Sequence, residues 1–147
     1  MNVLAAPVIM LRYKEFDHTA DIGVEIYGGT REELFQNAGY ALFDTIVDAA
    51  TITARMTRTV SIRATDSETL LLNWLRELLY LFCVHQEVYS EFDIRTLEPT
   101  CLEARIHGEA LHVETHDFHT ELKAVTYHQF TVFREDNTWK ARVIFDV

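Results

Sequence analysis

Two carboxylates and an imidazole, Asp17, His18 and Asp21, stand within five residues in the stretch DHTAD. Carboxylate oxygens suit hard cations such as magnesium, calcium or manganese, so one reading of the group is part of a divalent-metal site. The other is a solvated turn in which Asp and Thr side chains bond nearby backbone amides. Two local carboxylates do not close a cation site, so the metal reading needs distant ligands. A second acidic group stands at the far end: Asp146 is the penultimate residue, after the apolar Val143, Ile144 and Phe145, and Val147 adds an α-carboxylate. A charge closing a buried strand requires solvent, a partner or a metal. If the last strand pairs near Ile22, then Asp21, Asp146 and the Val147 carboxylate converge. Three negative charges brought that close repel unless a cation or protons intervene.

The histidines offer a rival site. His112, His116 and His119 follow H-x3-H-x2-H spacing with Asp117 between them, and imidazole favours zinc. The surrounding LHVETHDFHTE has no helical periodicity and reads as a strand leading into a solvated loop, whereas zinc needs a fixed, near-tetrahedral ligand set. A third polar group, Lys123, Thr126, Tyr127 and His128 in KAVTYH, is explained by strand faces about as well as by a site. The sequence holds no G-x-S-x-G, P-loop or G-x-G-x-x-G, which removes the nucleophile-elbow and standard nucleotide-binding readings.

The elements that position these groups follow from periodicity. Ile22, Val24 and Ile26 alternate with Gly23, Glu25 and Tyr27, the period of a half-buried strand that Gly28-Gly29 breaks. Thr30 and Glu33 form a capping box opening a helix that runs to about Val47, with Leu34, Ala38, Ala41, Leu42 and Thr45 on its buried face. Val60, Ile62 and Ala64 mark a second strand. Asp66 or Ser67 caps a second helix, in which Leu71, Trp74, Leu75, Leu78 and Phe82 recur at helical spacing; further leucines widen its apolar surface until it must be largely buried. Phe92–Leu97 and Leu102–His107 are strands joined by a turn around Pro99. LKAVTYHQFTVF and TWKARVIFDV flank the hairpin loop REDN. The order β-α-β-α followed by several strands predicts an α+β fold: a single compact domain with a mixed, largely antiparallel sheet and two principal helices. Residues 1–9 read as a loosely ordered extension, with Met10 an alternative start, and 10–147 as the domain.

Composition bounds the function. The chain has 147 residues, 48% hydrophobic and 24% charged, with a formal charge of −10. That size and balance suit one globular domain, and that charge opposes direct binding to a phosphate backbone. Cys83 and Cys101 form no CxxC pair; Cys83, in an apolar helical run, reads as a buried free thiol, which fits a reducing cytoplasm. No apolar segment is long enough to suggest a membrane span.

From about Arg12 to Val147 the chain resembles the archease family. The residues that carry the resemblance are DHTADIGV, the Thr30-Glu33-Leu34-Phe35 helix opening, LLLNWLRELLYLF, KAVTYH and the terminal FDV. The resemblance implies a small cytoplasmic accessory protein, not itself an enzyme. Its partner would be the GTP-dependent RNA ligase that joins 2′,3′-cyclic-phosphate or 3′-phosphate ends to 5′-hydroxyl ends in tRNA splicing and RNA repair. It would promote guanylylation of that ligase and so repeated turnover, GTP being used by the ligase. It also implies a divalent metal ion (calcium, magnesium or manganese) held by Asp21, Asp146 and Val147. Asp17 and His18, with Lys123 and His128, match the motifs as neighbours of that site or partner contacts. Two other classes stand beside this one: a metal-dependent hydrolase using Asp21 and Asp146 to activate water, and a chaperone-like modulator of RNA-modifying enzymes.

Overall fold

A computed structural model describes residues 11–147; the N-terminal extension and the alternative start at Met10 lie outside the described residues. The first helix, α1 (Arg31–Ile46), begins where the capping box placed it: Thr30 Oγ1 accepts the Glu33 N–H at 3.1 Å. The return bond from Glu33 goes to the N–H of Gly29, at 3.3 Å, one residue earlier than in the usual box. The second helix, α2 (Ser67–His85), is capped by Asp66, which accepts the Thr69 N–H at 2.8 Å. Gln86 in the left-handed region then ends the helix and passes the chain directly into a strand.

Around the helices run β1 (Tyr13–Phe16), β2 (Ile22–Gly28), β3 (Met56–Arg63), β4 (Glu87–Leu97), β5 (Cys101–Ala110), β6 (Ala124–Glu135) and β7 (Thr138–Asp146), with a short helix α3 (Val113–His116) before β6. They form a four-stranded sheet of order β1-β2-β7-β6 and a three-stranded sheet of order β3-β5-β4. Every strand pair among the described residues is antiparallel. The α+β class therefore stands, but the mixed sheet is two antiparallel ones. The reason is topological: β3 and β4, linked through α2, run parallel, and β5 inserts between them; β7 does the same between β2 and β6.

Both helices lie between the sheets, α1 against β2 and β4, α2 against β6 and β3–β5. That explains the apolar breadth of α2, in which Leu70, Leu71, Trp74, Leu75 and Leu78 are fully buried, each such side chain contributing about 1.5–3 kcal/mol. Trp74 also ties the helices together, its indole N–H donating to Phe35 O at 2.9 Å. Cys83 departs from expectation: it is exposed. The last turn of α2 carries Cys83, Val84 and His85 out of the sandwich, and an apolar run does not say where sheet cover stops.

The first two strands and the last two build one sheet, so β2 and β7 become its central neighbours. The REDN hairpin turns through Asp136 and Asn137, at φ 51° and 61°, with Glu135 paired to Thr138. That is the two-residue loop whose twist matches its strands.

Candidate metal centre at the end of the four-stranded sheet

The antiparallel register of β2 and β7 runs out at Ile22 opposite Phe145. One step further the chain reaches Asp21 on one side and Asp146 on the other. On the far side of β7, Ala124 pairs with Asp146, and the Lys123 N–H donates to Asp146 O at 2.8 Å. The penultimate residue is thereby fixed between the DHTAD turn and KAVTYH.

Side-chain alternation sets the face. Val24, Val143, Phe145 and Val125 are buried toward the helices, so Asp21, Asp146 and Thr126, each an odd step away, belong to the outer face. There Phe16 lies across Gly23, where a Cβ would meet its ring at 2.3 Å, and the Arg142 guanidinium stacks on the same ring at 4.2 Å. The DHTAD turn reverses through Ala20 at φ 64° and brings His18 Nδ1 to 3.5 Å from Asp21 Oδ2. The His18 ring meets that of His128 edge-on at 6.1 Å. Asp17 and Asp146 are exposed, whereas Asp21, His18 and Val147 are half-buried, Val147 packing against the core.

The sequence candidates thus separate. Asp21, Asp146, His18 and His128 gather at one end of the sheet; Lys123 contributes through its backbone, and Asp17 stands exposed at the start of the turn. Among the described residues no three His, Cys, Asp or Glu side chains are placed to hold one ion. A set of Asp21, Asp146 and the Val147 α-carboxylate has only two such side chains, and its donors are all oxygens, the chemistry of a hard cation. Two buried polar atoms at this end, His18 Nδ1 and Thr126 Oγ1, have no hydrogen-bond partner. Buried polar atoms are seldom left so, and a hydrated cation is a group that would satisfy them. On those two observations the residues present fit such an ion.

The histidine group is something else. His116 is fully buried, not solvated: its Nδ1 accepts the His112 N–H at 2.9 Å and its Nε2 meets Glu109 Oε2 at 2.9 Å. Glu109 is itself buried and also takes the Thr53 N–H and Arg55 Nε. His112 and His119 remain exposed, His119 beside Asp44 O and Asp117. The loop is pinned to β5 by a hydrogen bond from buried His116 to the buried Glu109 carboxylate, a partner that H-x3-H-x2-H spacing does not announce. Glu109, the residue that decides this, was missed because it lies beyond His107, where the strand was expected to end, whereas β5 runs on to Ala110.

Residues 13–147 match the model of the Archease protein family (MTH1598/TM1083). The chain is 39% identical to the protein archease of Methanosarcina barkeri over 140 residues, 92% of this chain and 96% of that one. Against its counterpart in Pyrococcus abyssi it is 35% identical over 142 residues, 94% of this chain and all of the relative. The solution structure of Methanobacterium thermoautotrophicum protein 1598 superposes with a TM-score of 0.79 at 35% identity, covering 92% of this chain and 99% of the other. The crystal structure of a Thermotoga maritima archease described as a possible chaperone shares the fold, with a TM-score of 0.61 at 23% identity over 91% of this chain and 96% of that one.

Proposed function

The chain belongs to the archease family, and from that premise we propose that it is a non-catalytic activator of the GTP-dependent RNA ligase of tRNA splicing and RNA repair. In this reading it promotes guanylylation of the ligase, and through it repeated turnover, with a divalent cation held by Asp21, Asp146 and the Val147 α-carboxylate. The observation that carries the reading is the register of β2 and β7, which ends at Ile22 opposite Phe145 and so leaves Asp21 and Asp146 one step beyond it, at one end of the sheet.

Each residue has a task in this reading. Asp21 and Asp146 supply the charge that draws the cation. The Lys123 N–H fixes the backbone of Asp146, so its exposed carboxylate leaves the sheet at the end where Asp21 enters it. His18 restricts the Asp21 carboxylate from the turn side. When bound, a divalent cation neutralises phosphate charge and aligns the attacking atom in nucleotidyl transfer. The chemistry itself takes place on the ligase.

The test is guanylylation and multiple-turnover joining by the cognate ligase, with and without this protein. Wild type should stimulate both, whereas folded Asp21→Ala and Asp146→Ala variants should lose the stimulation and the calcium or manganese binding seen by calorimetry. Residues added after Val147, which turn its carboxylate into an amide, should weaken cation binding without lowering the melting temperature. Turnover of a phosphoester by the isolated protein would favour the hydrolase instead. Stimulation that survives both Asp substitutions would leave a chaperone-like modulator with no metal in its mechanism.

A further inference from the structure

Beside the acid pair, β6 does something its partner does not. Thr126 pairs with Ile144, and the next registered pair is Thr131 with Arg142. Tyr127, His128, Gln129 and Phe130 therefore stand opposite the single residue Val143, well beyond the one extra residue of an ordinary bulge. The excursion is built, not slack. Phe130 is buried and anchors its far end, and the chain turns at Gln129 with φ 55°, a conformation that costs a non-glycine residue and persists only where its surroundings impose it. His128 rests against His18. Tyr127 is left 65% exposed.

The surroundings of Tyr127 define what it can meet. Its neighbour His128 meets His18, which stands beside Asp21, and Asp146 pairs with Ala124 earlier on the same strand; the basic groups of this stretch are Lys123 and Arg76, whose Nε donates to Val125 O at 3.2 Å. The whole chain carries −10. A tyrosine offers a large, rigid, amphipathic surface at small conformational-entropy cost, which makes it a frequent anchor of protein interfaces. An exposed aromatic also stacks on nucleobases, but the net charge of −10 on the chain repels the phosphates that would accompany a base.

We propose that the β6 excursion, with Tyr127 as its anchor, is the surface that docks this chain into a basic, phosphate-binding cleft of a partner protein, setting the acid pair at the mouth of that cleft. The proposal rests on the activator reading, in which the partner is the RNA ligase and its cleft binds nucleotide and RNA phosphates. The excursion supplies shape and apolar contact, and the carboxylates supply the charge complement.

The experiment measures binding of the full chain to the immobilised cognate ligase, for wild type, Tyr127→Ala and Tyr127→Phe, alongside calorimetric calcium binding, thermal melts and anisotropy with a labelled single-stranded RNA. Y127A should weaken ligase binding by about tenfold or more, the lower edge of an aromatic anchor. Y127F, which keeps the ring, should stay within about threefold. Melting temperature and calcium affinity should not move in either variant, and RNA should not bind. Wild-type affinity in Y127A overturns the docking surface while leaving the activator reading intact. So does RNA binding that Y127A abolishes, which would make Tyr127 a base-stacking residue. If wild type does not bind the ligase at all, the activator reading fails and takes the docking surface with it.

Discussion

At the scale of single residues, two acidic side chains of this protein live in opposite circumstances. Asp21 is half-buried, with the His18 imidazole 3.5 Å away as its nearest charged or polar partner and the rest of its carboxylate open to solvent. Glu109 is buried, and its oxygens are taken by His116, the Thr53 N–H and Arg55. Burial works to raise the pKa of Glu109, but those bonds outweigh it and hold the carboxyl below its ordinary 4.5. A lowered folded pKa means that the ionised carboxylate stabilises the fold at any pH above that ordinary value. The contribution disappears as pH falls from there through the folded value. Thermal melts taken downward from neutral pH should therefore fall more steeply for wild type than for Glu109→Gln, which cannot titrate at this position. His116→Ala, which strips the buried carboxylate of its imidazole and opens a cavity, should cost about 2–4 kcal/mol in urea unfolding. Parallel pH curves for wild type and E109Q would mean that Glu109 is not the ionised hub of this loop. The exposed partner, Arg55, should matter little, as surface ion pairs usually do.

At the scale of elements, the start of α1 depends on a close approach more than on a turn. Gly28 is the last residue of β2 and has an ordinary negative φ, so it is not there for backbone freedom. A Cβ at this position would lie 2.4 Å from the Leu34 N and 2.7 Å from its Cα, atoms of the helix backbone that cannot swing aside. Gly28→Ala should then push α1 off β2 and destabilise the protein by about 1–3 kcal/mol, the usual cost of overpacking. Gly29→Ala, whose added methyl finds only a Glu33 carboxylate oxygen at 3.9 Å, should be close to neutral. Equal denaturant midpoints for the two variants would refute the packing account. The GG pair was legible as a break between strand and helix, but only the fold separates the two glycines. The same division runs through the other elements. Helix limits were readable because caps and a 3.6-residue period are local signals. β1 was not, because Tyr13-Lys14-Glu15-Phe16 shows no alternation and is a strand only by its pairing with Gly23–Ile26. Nor was the β6 excursion, since nothing in TYHQF marks a loss of register with a strand that follows it.

At the scale of the whole molecule, the candidate site is a product of topology. Asp21 and Asp146 are near opposite ends of the sequence and come together only because the first and last strands share one sheet. Each carboxylate was visible as a residue type, and bringing both to one end of a sheet was conditional on the last strand lying beside Ile22, which the register shows it does. Charge is the other whole-chain property, legible from composition alone: 23 acidic against 13 basic side chains. A surface of that sign, with the acid pair at the end of the sheet that carries the β6 excursion, should be steered toward a basic cleft before any contact forms. Steering acts on encounter, so it belongs to the association rate, and it weakens as the screening length shrinks from about 10 Å at 0.1 M salt to about 3 Å at 1 M. Raising sodium chloride from about 0.05 M to about 0.5 M should therefore slow association with the proposed ligase partner by about tenfold or more. The dissociation rate, set by short-range contacts at Tyr127, should change much less. Y127A should show the opposite pattern, with faster dissociation and an unchanged salt slope. An association rate indifferent to salt would mean that the net charge of −10 serves solubility and has no part in finding the partner.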